Sequence, residues 1–154
     1  MMTNLSQILS PENILLDLEA SDKNTVFDKV GQLVEAVSGI PCQQVAENLL
    51  EREKLGSTGL GLGVAVPHGR IQGLKAPIAV FVRLATPMDF GSPDGAPVNL
   101  MVSLLVPASA TQKHLETLSE IAEMFSSSKF RTALLNEPEA AKVYQMITTW
   151  LPGK

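Results

Sequence analysis

The chain has 154 residues, 45% hydrophobic and 18% charged, with a formal net charge of −4. This balance excludes a disordered chain, which pairs low hydrophobicity with high net charge, and it argues against general nucleic-acid binding, which takes a basic surface. No apolar run approaches the ~20 residues that span a bilayer, the start Met1-Met2-Thr3-Asn4 has neither a basic nor an apolar leader segment, and the single Cys42 can form no internal disulfide. The expectation is a cytoplasmic protein with one domain over residues 1–154 and a core over residues 5–150, with no membrane insertion and no nucleic acid.

In chain order, residues 5–9 read as a helical turn and residues 13–18 as a short strand. A helix is expected from Ser21, with Val26, Phe27, Val30, Leu33, Val34 and Val37 on one stripe and Gly39 as its left-handed stop. A second helix is expected from Pro41, whose missing N–H suits a first turn, with Val45, Leu49 and Leu50 inward and Gly56 as its end. Arg52 then falls in its last turn.

The next stretch, Gly56-Ser57-Thr58-Gly59-Leu60-Gly61-Leu62-Gly63-Val64-Ala65-Val66-Pro67-His68, reads as a loop that can approach an anion closely, because glycine has no Cβ to hold a ligand away. Pro67 biases Val66 toward extended geometry, so His68 leaves a short strand on a constrained backbone. Arg52 and Arg70 flank the segment with positive charge. Residues 77–84 and 99–106 are apolar runs of the kind buried strands show, joined by a turn-dense loop over residues 85–97 that holds Pro87, Gly91, Pro93, Gly95 and Pro97.

A third helix is expected from Thr111, with Leu115, Leu118, Ile121, Ala122 and Phe125 inward, followed by helical segments over residues 130–135 and 137–150. With Thr111 as N-cap, His114 is at the third helical position, on the apolar side and near the positive end of the helix dipole. Two readings stay open for it: a buried histidine satisfied by a backbone carbonyl, or a neutral donor to a bound phosphoryl oxygen. The mixed order of helices and strands points to an α/β or α+β sandwich, a small mixed sheet with helices on both sides.

Several chemistries are excluded by spacing. From Gly59 the sixth position is Val64, which breaks a dinucleotide fingerprint, and no Lys-Ser/Thr pair follows the glycines as a Walker A loop needs. There is no G-x-S-x-G, and two histidines with one cysteine give no zinc spacing. What remains is phosphate cradling beside a fixed imidazole. A neutral imidazole with an unperturbed pKa of ~6.5 is a good nucleophile near neutrality. Arg52 is the candidate clamp, since a guanidinium forks onto phosphate oxygens, and Ser57, Thr58 and Gly59 are candidate phosphate-binding residues. Arg70 is either a further contributor or a solvated charge. No cofactor and no metal are called for.

The run Arg52-Glu53-Lys54 … Gly56-Ser57-Thr58-Gly59-x-Gly61-x-Gly63-x-Ala65-x-Pro67-His68 resembles the active-site signature of phosphotransferase-system enzyme IIA proteins of the fructose/mannitol class, and especially their nitrogen-regulatory subtype. The likeness extends over residues 5–150, with the family's second histidine matched by His114. It implies a five-stranded mixed sheet flanked by helices. It implies a phosphoryl carrier in which His68 takes a phosphoryl group, usually on Nε2, from a histidine phosphocarrier protein charged from phosphoenolpyruvate. His114 and Arg52 would stabilise the transferring group. The regulatory subtype signals to potassium-transport proteins or sensor kinases through its phosphorylation state, and a weak homodimer is compatible with it. Two alternatives stay open: a sugar-specific IIA that passes the group to a IIB component, and a protein-binding regulator that transfers nothing.

Overall fold

The computed structural model describes residues 3–110 and 112–152, apart from the Lys113 side chain. Helix α1 (Asn4–Ile8) runs into strand β1 (Leu9–Leu18), followed by helices α2 (Lys23–Ser38) and α3 (Cys42–Lys54). Then come short strands β2 (Gly59–Gly61), β3 (Val64–Ala65) and β4 (His68–Ile71), and two long strands, β5 (Ile78–Met88) and β6 (Val98–Pro107). Three helices close the chain: α4 (Lys113–Phe125), α5 (Ser128–Asn136) and α6 (Ala140–Thr148).

The sheet is mixed, in the order β1-β5-β6-β3-β2, with β4 also paired to β6. Strands β3 and β4 run along the same edge of β6, at Leu100–Met101 and Leu104–Pro107, so six strands occupy five positions. The expected five-stranded mixed sheet is therefore close to what forms. Pro67 interrupts the β3–β4 line because it has no N–H to give the ladder, though its carbonyl still accepts from Leu104 N at 2.9 Å.

Both faces of the sheet are buried, which is why its central strands read as continuous apolar runs. Along β5, Val80, Val82 and Leu84 face a core shared with Phe27, Val30, Val34, Val45 and Leu49 of α2 and α3. The alternate residues Ala79 and Phe81 face a second core with Leu5, Ile121, Phe125, Leu134 and Val143. The period of two thus divides the helices into a layer on each face.

Helix ends follow local chemistry. Asp22, one residue past the expected start, caps α2 by accepting from Thr25 N at 2.8 Å, and Gly39 ends it at φ +80°. Strand β1 starts earlier than the expected residue 13 because the chain bulges after Leu9, which hides Pro11 from any ladder requirement. Residues 85–88 belong to β5 rather than to the loop, since Met88 still pairs with Val98.

Helix α4 is rotated from expectation. Thr117, Ile121, Met124 and Phe125 are buried, while Leu115 is 52% exposed and Ala122 is exposed. Glu120 on the same helix accepts from the first free N–H groups of α1, Asn4 and Leu5, both at 3.1 Å, so this flank must face α1. Residue 111, the expected N-cap, lies outside the described residues; Gln112 precedes the helix and His114 is its second residue, not its third.

Arg83 is the one charge on the buried part of β5. Its Nη1 donates to the carbonyls of Leu134 and Glu137 at 2.8 and 2.6 Å, joining the C-terminal end of α5 to the sheet, and its other nitrogens reach Asp17 at 3.2 Å. Arg83→Met should lower the unfolding free energy by roughly 2–4 kcal/mol in urea denaturation, since it strips charged donors from two carbonyls. Asp17→Ala, which removes a largely exposed partner, should cost about 1 kcal/mol or less. Equal losses would show that the ion pair, not the carbonyl contacts, holds the helix.

Candidate functional site

The last turn of α3, the start of β4 and the first turn of α4 converge on a cleft of about 490 Å³, bordered by Arg52, Leu55, His68, Arg70, Leu104 and His114. Sequence reasoning placed Arg52, His68 and His114 in one site, and the fold brings these three together.

His68 opens β4 directly after Pro67 and is half-buried. Its Nδ1 lies 2.8 Å from the Val66 carbonyl oxygen. A carbonyl can only accept, so Nδ1 carries the proton and Nε2 keeps its lone pair. Burial pushes the imidazole below its ordinary pKa. The Val66 carbonyl opposes this, the nearby Arg52 and His114 charges reinforce it, and Glu53 opposes it weakly. Near neutrality the ring is uncharged and nucleophilic at one defined nitrogen.

Arg52 uses Nη1 to donate to the Gly56 carbonyl at 3.0 Å, which leaves further N–H donors of the guanidinium for an anion. Arg70 borders the same cleft, but its Nη1 donates to the carbonyls of Ala110 at 2.8 Å and Ala108 at 3.4 Å. It ties β4 to the segment that leads into α4. His114 borders both this cleft and an adjoining groove of about 400 Å³ lined by Ile8, Pro77 and Val106.

Ser57, Thr58 and Gly59 were expected to contact phosphate, and here they do not border the cleft. Ser57 Oγ donates to the Phe90 carbonyl at 2.6 Å and accepts from Gly59 N at 3.0 Å. Thr58 donates both its N–H and its hydroxyl to Glu53. Gly59 packs so tightly on Ser92 that a Cβ would sit 2.2 Å from its Oγ. Nor is the glycine stretch a loop throughout: Gly59–Gly61 and Val64–Ala65 form a hairpin whose turn residues, Leu62 and Gly63, have φ of 60° and 81°. The donors of this segment are spent on bracing it.

Two bracing residues were not foreseen. Glu53 is buried, receives both Thr58 donors and pairs with Lys23 at 2.7 Å, and Lys23 in turn lies 4.3 Å from the centre of the Phe90 ring. Asn48 Nδ2 donates to the Arg70 carbonyl at 2.7 Å, and its Oδ1 would be 2.0 Å from a Cβ on residue 69, so a side chain beside His68 would push the Asn48 amide off this contact. The sequence holds Glu53 within the signature and Asn48 one turn before Arg52, but nothing in their spacing shows what they touch. Among the described residues no three His, Cys, Asp or Glu side chains cluster as a metal site, and no helix is long and apolar enough to cross a membrane.

The His68 ring should titrate below ~6.5 in an NMR pH titration of its side-chain signals. Arg52→Ala removes a charge that disfavours imidazolium, so the midpoint should move up. A midpoint unmoved by that change would place the guanidinium electrostatically apart from the ring.

The chain is similar to known proteins in both sequence and fold. The family model described as "Phosphoenolpyruvate-dependent sugar phosphotransferase system, EIIA 2" matches residues 7–150. A nitrogen regulatory protein of Pseudomonas aeruginosa is 42% identical over 147 residues, 95% of this chain and 96% of the relative, and one of Escherichia coli is 37% identical over 146 residues, 94% and 89% of the two chains. The crystal structure of nitrogen regulatory protein IIA-Ntr from Neisseria meningitidis superposes with a TM-score of 0.88 at 44% identity, covering 93% of this chain and 98% of that one. The mannitol IIA of Escherichia coli, 20% identical, shares the fold at a TM-score of 0.77 over 90% of this chain and 98% of its own. With the imidazole, guanidinium and second histidine meeting in one cleft, the chain belongs to the EIIA 2 family of the phosphoenolpyruvate-dependent sugar phosphotransferase system, the fructose/mannitol class, and within it sides with the nitrogen regulatory proteins.

Proposed function

We propose that residues 1–154 act as one cytoplasmic enzyme IIA unit in which His68 Nε2 accepts a phosphoryl group from a histidine phosphocarrier protein. The observation that carries this reading is the Nδ1–Val66 hydrogen bond, which leaves Nε2 as the free nitrogen of a ring held neutral beside Arg52. In the transfer the donor's N–P bond breaks as the bond from Nε2 to phosphorus forms, and the donor imidazole leaves with the electron pair. No external base is required, because the attacking nitrogen carries no proton.

Catalysis then reduces to alignment and charge stabilisation on the equatorial oxygens. The remaining Arg52 donors suit two of these oxygens, and His114, which borders the same cleft, suits a third. The phosphohistidine adds roughly −1.5 to −2 charge at the cleft, enough to change which protein surfaces fit it. The similarity to nitrogen regulatory proteins supports a signalling role, in which regulatory targets, potassium-transport proteins or sensor kinases, distinguish the two forms.

Incubation with phosphoenolpyruvate, the upstream kinase and a phosphocarrier should add one acid-labile, base-stable phosphoryl group, read by intact-protein mass spectrometry. His68→Ala should abolish it, and labelling that persists in the variant overturns the assignment. Arg52→Ala and His114→Ala should still accept the group, with transfer slowed about 10²–10³-fold, the usual cost of one transition-state donor. Unchanged rates in the His114 variant would make it a packing residue.

A further inference from the structure

Strand β4 pairs only with β6 among the described residues, so its other edge lies open toward α3. On the β6 side the carbonyls of Pro67 and Ile71 accept from Leu104 N at 2.9 Å and Ala108 N at 3.1 Å. The carbonyls of Arg70 and of Gln72, just past the strand, are met by side chains of α3 instead. Asn48 Nδ2 donates to the first at 2.7 Å, and Gln44 Nε2 donates to the second at 2.9 Å.

Gln44, Asn48 and Arg52 stand four residues apart, on one stripe of α3. Four helical residues rise roughly 6 Å and two strand residues span roughly 6.6 Å, so steps of four on α3 match steps of two on β4. Gln44 pairs with Gln72 and Asn48 with Arg70. The next step brings Arg52 to His68, and both border the cleft.

Other contacts of α3 hold this register less sharply. Val45, Ala46 and Leu49 are buried in the core, but apolar burial is non-directional and tolerates a small slide of the helix along the strand. The guanidinium's own bond runs to the Gly56 carbonyl, just past the end of α3, and not to β4. Of the two amides, Asn48 is the one next to the site. It lies against the strand so closely that a Cβ on residue 69 would sit 2.0 Å from its Oδ1.

We propose that Asn48 is a positioning residue for phosphoryl transfer: its bond to the Arg70 carbonyl holds α3 in the register that keeps the Arg52 guanidinium beside the His68 ring. The amide acts through Arg52, not on the phosphoryl group. This inference rests on the role proposed for His68, and its test has an arm that does not need that role.

The test is a double-mutant cycle on the full chain, read by NMR titration of His68 and by transfer from the phosphocarrier. Arg52 disfavours imidazolium, so Asn48→Ala, which lets the guanidinium drift, should raise the His68 midpoint part of the way that Arg52→Ala does. It should slow transfer about tenfold, within the ~100-fold that a ~1 Å misplacement can cost. In the Arg52→Ala background, Asn48→Ala should leave the midpoint in place and change the rate by less than about twofold. Gly69→Ala, whose Cβ displaces the Asn48 amide, should reproduce the single-variant effects and add nothing to Asn48→Ala; Gly69 is not at positive φ, so alanine needs no strained backbone there. Urea denaturation checks that each variant is folded. Effects that persist without Arg52 would show that Asn48 acts on the ring directly, and a folded Asn48→Ala with unchanged midpoint and rate would make it a brace alone; either result overturns the proposal. The titration uses no phosphoryl donor, so it decides the positioning even if the unsubstituted chain takes no phosphoryl group, a result that would overturn the role of His68 instead.

Discussion

The site depends on one hydrogen bond, from the Nδ1–H of His68 to the carbonyl of Val66 two residues before it. Pro67 makes the bond accessible by breaking the line of strands along β6: β3 pairs before it and β4 after it, and between them the Val66 N–H turns to the Thr58 carbonyl at 3.0 Å. The imidazole therefore folds back on its own strand. One backbone oxygen decides which ring nitrogen holds the proton, and so which keeps its lone pair. A side chain fixed this way loses little freedom when a donor docks.

Charge around the ring is arranged with some internal opposition. Glu53 sits next to Arg52 in sequence and its charge favours imidazolium, yet burial and Arg52 outweigh it. The reason is where the carboxylate is spent. It is buried, bonded to both donors of Thr58 and paired with Lys23, so its field is largely answered before it reaches the cleft. The same contacts hold the glycine hairpin against α3, and the hairpin in turn carries the strand that ends at Pro67. A buried acid here is a structural brace, and the immediate surroundings of the imidazole are left to the cations.

Much of the site was legible because its residues are close in sequence. Arg52, Pro67 and His68 lie within a span where one helix end, one turn-rich segment and one strand start must follow each other, so their meeting needs little tertiary information. His114 is far from these in sequence; its place near the start of a helix left two readings open, and the family resemblance favoured the one at the site. The bracing contacts of Ser57, Thr58 and Gly59 were not legible: hydroxyls beside glycines suggest phosphate equally well whether they face a ligand or a neighbouring strand. The hairpin was missed for a local reason, since Leu62 occupies a positive-φ turn position where Asn or Gly is the usual signal.

Apolar periodicity alone determined the helices α2 and α3, the central strands β5 and β6 and the layered class, because both faces of the sheet had to be covered and the alternation of two is written in the residues. The glycine and proline spacing determined that a constrained histidine would follow a turn-rich segment. Tertiary structure alone decided which donors face the cleft, which way α4 turns and how Arg83, Asn48 and Glu53 are used. These depend on partners far away in the chain, whose carbonyls, N–H groups and carboxylates come within reach only once the sheet has brought its two helical layers into register.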